Sequence, residues 1–199
     1  MCMNFQLERT YQDIAEYFEL NPEPLEGWKG SLFPNYPLLA ILPERKPQVM
    51  TWGFKHPQFD KKYVNNARSE TAATSPMFRG QFKKSRCLIP ATGFIEWNAS
   101  KHKFLIGLPD PLFAFAGLYN SAGECTMLTT SPNPFMEKIH NRMLVILHRR
   151  DYDQWLTEPA KELLVPYTGE MKAVCIAEPK AKPEKKAKPE PEHQQGQLF

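Results

Sequence analysis

Apolar and polar positions alternate along this chain in two rhythms, and the change from one to the other marks its elements. In "TYQDIAEYFEL" Ile14, Tyr17 and Phe18 fall at helical spacing, with Thr10 placed as N-cap and Asp13 three residues on, so a short amphipathic helix is predicted. From there to Gly53 the text is loop-rich, with prolines at 22, 24, 34, 37, 43 and 47, and "YPLLAIL" is the only obvious strand. "SETAATSPMFRGQFKKS" reads as helical from Ser69, interrupted at Pro76 and resuming from Met77 to Lys84. A run of strands follows: "RCLIPATGFIEW", "HKFLIGL", "LFAFAGLY", "CTMLTT" and "MLVILH", rich in β-branched and aromatic residues. The helical "PFMEKI" interrupts them once, "DYDQWL" forms a late helix and "KAVCIA" a last strand. Few connections are long enough for helical crossovers, which predicts mostly antiparallel pairing and an α+β class.

Composition narrows this. With 199 residues, 42% of them hydrophobic, the chain fits one domain with a substantial core. That domain is read as 1–177, because residues 178–199 turn to a Pro, Lys and Glu mixture without core formers. Such text is expected to be a disordered tether, yet it closes on the apolar pair of "QGQLF". Four well-separated cysteines without a CxxC pair fit reduced thiols in a cytoplasmic protein and argue against zinc. No apolar run approaches the roughly 18 residues of a membrane span. A net charge of +3 is too mild to establish nucleic-acid binding, although Lys61, Lys62, Arg68, Arg79, Lys83, Lys84 and Arg86 crowd one region.

Four stretches can carry chemistry. The opening "MCMNF" puts Cys2 behind Met1, where trimming would leave a thiol beside a free α-amine. Such an amine, with a reference pKa of roughly 7.7–8.0, is partly neutral at pH 7 and can condense with an aldehyde. The thiol then closes a five-membered thiazolidine with the advantage of proximity. An incidental small residue is the alternative. "VNNARSET" sets Asn65, Asn66 and Arg68 ahead of a helix start, a place suited to an anion or polarised oxygen, or simply an Asn-rich turn. In "PATGFIEW" Glu96 shares a strand face with Phe94 and opposes Ile95 and Trp97. It is either a solvent-facing glutamate or an acid of raised pKa suited to proton transfer. "KIHNRMLVIL" offers His140 and Arg142, the imidazole being either structural or a proton shuttle.

Cys2, "NNARSET", "RCLIPATGFIEW", "FAFAGLY", "TTSPN" and "IHNRM", in this order, resemble the SRAP family of SOS-response-associated peptidases and abasic-site-processing proteins, over residues 1 to about 177. The resemblance implies an α+β fold with a mostly antiparallel, barrel-like core and flanking short helices. It implies loss of Met1, with self-cleavage as one route, and a covalent bond between Cys2 and an abasic site in single-stranded DNA during replication. DNA lyase activity is a further option within it. It assigns Asn66 to the Cys2 terminus, Arg68 to a phosphate, and Glu96 and His140 to proton transfer. Trp52 and Gly53 of "TWGF" would shape the DNA face, Thr129 and Thr130 line the pocket, and Trp97 and Arg142 border the strand. No cofactor or metal is implied, and a monomer is expected. Gln195, Leu198 and Phe199, spaced Q-x-x-L-F, resemble the peptide by which bacterial replication proteins bind the sliding clamp.

Two departures stand out. The family opens MCGRF, whereas this chain has Met3 and Asn4, so a phosphate contact expected from arginine at position 4 is lost or supplied elsewhere; Leu144 replaces a usual proline after IHxRM. Two rival readings remain at this point. One is an N-terminal-nucleophile amidohydrolase or glutamine amidotransferase, and the other a non-catalytic DNA-binding adaptor.

Overall fold

The computed structural model describes residues 3–20, 24–56, 58 and 62–178. Cys2, Lys61 and the tether from residue 179 onward, including Gln195, Leu198 and Phe199, lie outside the described residues.

The first helix, α1 (Tyr11–Phe18), forms as its pattern predicts. The Thr10 hydroxyl accepts the Asp13 N–H at 3.1 Å and the Asp13 carboxylate accepts the Thr10 N–H at 3.1 Å, a reciprocal capping box. Ile14, Ala15 and Phe18 point into the core. Left-handed Glu19 ends the helix.

Among the described residues fifteen strands follow one another. Before residue 69 these are β1 (Phe5–Leu7), β2 (Gly30–Leu32), β3 (Pro37–Leu42), β4 (Lys46–Trp52), β5 (Phe54–Lys55), β6 (Tyr63–Val64) and β7 (Asn66–Arg68). The short helices α2 (Ser69–Ala72) and α3 (Arg79–Lys84) lead to β8 (Arg86–Ala91), β9 (Gly93–Trp97), β10 (Lys103–Gly107), β11 (Phe113–Tyr119) and β12 (Glu124–Thr130). Helix α4 (Pro134–Glu137), β13 (Met143–Leu144), β14 (Ile146–Leu147), α5 (Tyr152–Thr157) and β15 (Lys172–Ala177) complete the described residues.

Pairing closes a barrel. β12 pairs with β4, β4 with β3, β3 with β8, β8 with β11, and β11 returns to β12. All are antiparallel except β12 with β4, and β7 also lies parallel to β12. "MLVILH" serves both barrel edges: β13 pairs with β12 and β14 with β11, and Val145 between them bonds to Leu128 and Ala116 at 2.9 Å each.

A second sheet, in the order β15-β10-β9-β1-β2, leaves the barrel where Thr92 bends the chain between β8 and β9. The Thr92 N–H donates to the Gln6 carbonyl at 2.7 Å, which fixes β1 beside β9. Aromatic edges join the two sheets: Phe5 meets Trp52 at 5.4 Å and Phe115 at 5.9 Å, and Phe94 meets Phe115 at 5.8 Å.

The stretch before Gly53 holds more strand than its prolines suggest. Pro47 lies within β4, opposite Ile41. β12 reaches β4 only at Thr51 and Trp52, so the missing N–H of Pro47 leaves no gap in that ladder. The basic cluster is also less uniform than its sequence: Arg86 is buried. Its guanidinium donates to the Trp155, Phe82 and Leu156 carbonyls at 2.8, 3.0 and 3.3 Å. A cation thus satisfies the carbonyls that α3 and α5 leave unpaired near their ends. Replacing Arg86 by leucine should cost on the order of 3 kcal/mol in denaturant unfolding, since three buried carbonyls lose a charged donor.

Candidate active site

The strand that carries Asn66 and Arg68 is held from behind. The Trp52 indole N–H donates to the Asn65 carbonyl at 2.8 Å, and the Met127 N–H approaches the same oxygen at 3.2 Å. Gly53, at φ +124°, makes the room: a Cβ there would stand 2.3 Å from the Asn65 Oδ1. Both the backbone angle and the close approach demand glycine. Gly53→Ala should therefore cost about 2 kcal/mol or more in thermal unfolding and push β7 out of place.

Trp52 itself has no exposed surface and stands as a brace under β7, so any shaping of the face by it acts from beneath. From that brace, Asn66 lies opposite Met127, and Arg68 opposite Thr129 with its side chain exposed.

Arg142 is held by protein partners. Its Nη1 and Nη2 donate to the two Glu70 carboxylate oxygens at 2.5 and 2.9 Å, and Nη2 also reaches the Thr129 carbonyl at 2.8 Å and hydroxyl at 3.1 Å. This fork holds Glu70 at a pKa of about 2 and ties the start of α2 to β12. Thr129 and Thr130 are buried, the Thr130 hydroxyl donating to the Leu164 carbonyl at 3.3 Å. Thr130 also lines a surface cleft with Ser69, Glu70, Ser131 and Lys161. Glu70 was missed in the sequence because its partner lies 72 positions away.

His140 follows α4, with its N–H on the Met136 carbonyl at 2.7 Å. Its Nδ1 lies 3.0 Å from the Arg142 backbone nitrogen and 3.1 Å from the Arg142 carbonyl oxygen, so the backbone of Arg142 orients the ring. Burial lowers its pKa below the usual imidazole value.

Glu96 is 2% exposed, so the solvent-facing alternative fails. It lies opposite Phe104 on β10, with Phe94 beside it on its own face. Burial pushes its carboxyl up to about 7, against the pull of the Trp97 backbone N–H. Trp97 projects from the other face, 40% exposed, with the Lys103 ammonium 5.4 Å from its ring centre.

The position of β1 answers the question raised by Met3 and Asn4. Asn4 is buried, accepts the Ser31 hydroxyl at 3.2 Å on Oδ1, and takes the Ile95 N–H on its carbonyl at 2.9 Å. It is a buried, strand-fixing residue. The residue preceding Glu96 is thus bonded to the residue two places after Cys2. Phe5 then connects this sheet through Trp52 to Asn65 and the strand bearing Asn66 and Arg68.

Among the described residues no group of three metal-ligating side chains converges, and no helix is long and apolar enough to cross a membrane.

A closed barrel, a second sheet in which the strand bearing the buried, high-pKa Glu96 carboxyl pairs with β1, an imidazole oriented by the Arg142 backbone and a strand carrying Asn66 and Arg68 together define an α+β domain. The model of the SOS response associated peptidase (SRAP) family matches residues 1–179, and the chain belongs to that family. It is 33% identical to the abasic site processing protein YoqW of Bacillus subtilis over 85% of this chain and 89% of that one. It is 28% identical to the abasic site processing protein YedK of Escherichia coli over 79% of this chain and 80% of that one. Among solved structures, a protein from Bordetella bronchiseptica superposes with a TM-score of 0.76 at 28% identity, covering 88% of this chain and 100% of that one. A protein from Bacteroides thetaiotaomicron shares the fold with a TM-score of 0.78 at 23% identity, covering 88% and 92%.

Proposed function

We propose that this protein processes abasic sites in single-stranded DNA by forming a covalent thiazolidine through Cys2 once Met1 has been removed. The α-amine of Cys2 adds to the aldehyde carbon of the ring-opened sugar, and the carbinolamine loses one water to give the imine. The thiol sulfur then adds to the imine carbon, and its proton passes to the nitrogen. The net change is aldehyde plus aminothiol to thiazolidine plus water.

The observation that carries this reading is Glu96, a buried carboxyl with pKa about 7 on the strand bonded directly to β1. Cys2 is two residues from Asn4, so roughly 7 Å of extended chain separates it from the residue that bonds to Ile95. At neutral pH Glu96 is half protonated, able to give a proton to the departing hydroxyl and to take one back. His140, its ring oriented by the Arg142 backbone, is assigned to the sugar during ring opening. Asn66 is assigned to the Cys2 terminus and Arg68 to a phosphate. Self-cleavage of Met1 would use the same thiol.

The test is to mix the native protein with a single-stranded oligonucleotide bearing one abasic site and analyse it under denaturing conditions. A heat- and denaturant-resistant adduct, with the intact protein mass lacking Met1, is the expected result. Glutamine hydrolysis in its place would establish the amidotransferase reading, and reversible binding alone would establish the adaptor.

For the tether, residues 195–199 are proposed to bind a sliding clamp and so raise the local concentration of the domain on single strands at replication forks. Leu198→Ala with Phe199→Ala should remove clamp binding measured by calorimetry; unchanged binding would end that proposal.

A further inference from the structure

Beside the Trp52–Gly53 brace stands a feature that the chemistry above does not use. Phe33 and Tyr36 are 42% and 57% exposed, and their rings meet edge to face at 5.9 Å. The turn that presents them is held firmly. Asn35 adopts φ +67°, the Tyr36 N–H donates to the Phe33 carbonyl at 3.0 Å, and two bonds tie the turn to Trp52. In these, the Asn35 N–H donates to the Trp52 carbonyl at 2.8 Å and the Trp52 N–H to the Tyr36 carbonyl at 3.0 Å. Trp52 thus grips this turn with its backbone and the Asn65 carbonyl with its indole. The aromatic pair and the Asn66–Arg68 strand are mounted on one residue.

We infer that Phe33 and Tyr36 form a stacking platform for unpaired bases next to the abasic nucleotide, an inference that rests on the proposed function. Two large rings exposed on a rigid turn leave apolar area in water, which a sequence-neutral partner with flat faces would cover. The charge around them selects a polyanion. The segment 52–68 carries four cations, Lys55, Lys61, Lys62 and Arg68, against one carboxylate, Asp60, and Lys55, Lys62 and Arg68 are exposed. Glu124, which accepts the Lys55 backbone N–H at 3.1 Å, also accepts the Asn120 amide at 2.8 Å. This flank can also supply the phosphate contact expected at position 4, where Asn4 is buried. Stacking needs no base identity, as a lesion binder requires.

Fluorescence anisotropy of the full chain with an undamaged single-stranded oligonucleotide tests the platform. Phe33→Ala with Tyr36→Ala should weaken binding about tenfold while leaving the slope of affinity against salt unchanged, because stacking releases no counterions. Phe33→Tyr with Tyr36→Phe keeps both rings and should restore affinity; Tyr36→Ser alone guards against a misfolded double variant and should weaken binding severalfold. Native-like affinity in the alanine and serine variants, or equal loss in the ring-preserving variant, would overturn the inference. The two readings fail separately. If the native chain forms the adduct but the alanine variant binds normally, only the platform is lost. If binding depends on the rings but no adduct forms through Cys2, only the crosslinking reading is lost.

Discussion

Replacing Cys2 by alanine should leave no denaturant-resistant adduct on an abasic oligonucleotide, a drop to the detection limit, while the melting temperature stays within a degree or two of native. The loss should be complete because the thiazolidine requires both heteroatoms on adjacent carbons. An alanine amine still condenses to an imine, but that imine hydrolyses when the complex is denatured. Trapping with borohydride separates the two steps. The alanine variant should give a reduced amine adduct with borohydride and none without it, whereas the native chain should need no reductant. Adduct formation by Cys2→Ala without reductant at the native rate would exclude the mechanism. Serine at the same place gives the weaker oxygen nucleophile and should yield a small, reversible fraction.

Glu96→Gln should slow adduct formation about 100-fold and change its dependence on pH, the range expected for loss of a general acid–base group. In the native protein the rate should rise as the α-amine loses its proton and fall as Glu96 ionises through about 7. Glutamine removes the falling limb and leaves the amine limb. The same group links pH to stability with a definite sign. Its folded pKa lies above the unfolded value, so its contribution is fully present below about pH 4 and declines as pH rises, until it is lost beyond 7. Glu96→Gln should therefore flatten the stability profile between those limits in denaturant titrations. A glutamine variant with native rate and native pH profile would remove Glu96 from the chemistry.

The sequence made the strong periodicities plain and the short pairings obscure. α1 carried its own cap and apolar stripe, and the strands from Arg86 to Thr130 alternated or ran apolar for five to seven residues. β1 did not: three residues, Phe5–Leu7, become a strand only because β9 and β2 receive them on either side. Proline at 47 hid β4, since whether its missing N–H matters depends on where β12 ends. The candidate residues with functional groups were visible as types, yet their states were not. Nothing local distinguishes Glu96, buried, from a solvated glutamate in the same alternation. Arg142 reads as a free cation until topology brings Glu70 to it, and the bond from the Trp52 indole to the Asn65 carbonyl has no local signal. Phe33 lies in loop text and Tyr36 opens the strand "YPLLAIL", and the proline and asparagine between them signal a bend without saying which side chains it lifts outward.

The interior placement of β1 has a mechanical consequence. A pull on residue 2 runs along the strand axis, so the ladders to β2 and β9 are loaded together in shear, with Phe5 and Leu7 embedded beneath them. Bonds loaded side by side yield only as a set, whereas a terminal strand at a sheet edge would peel one bond at a time. A chain attached to DNA at this end would be tethered at one of the points where the domain best resists being unravelled by force.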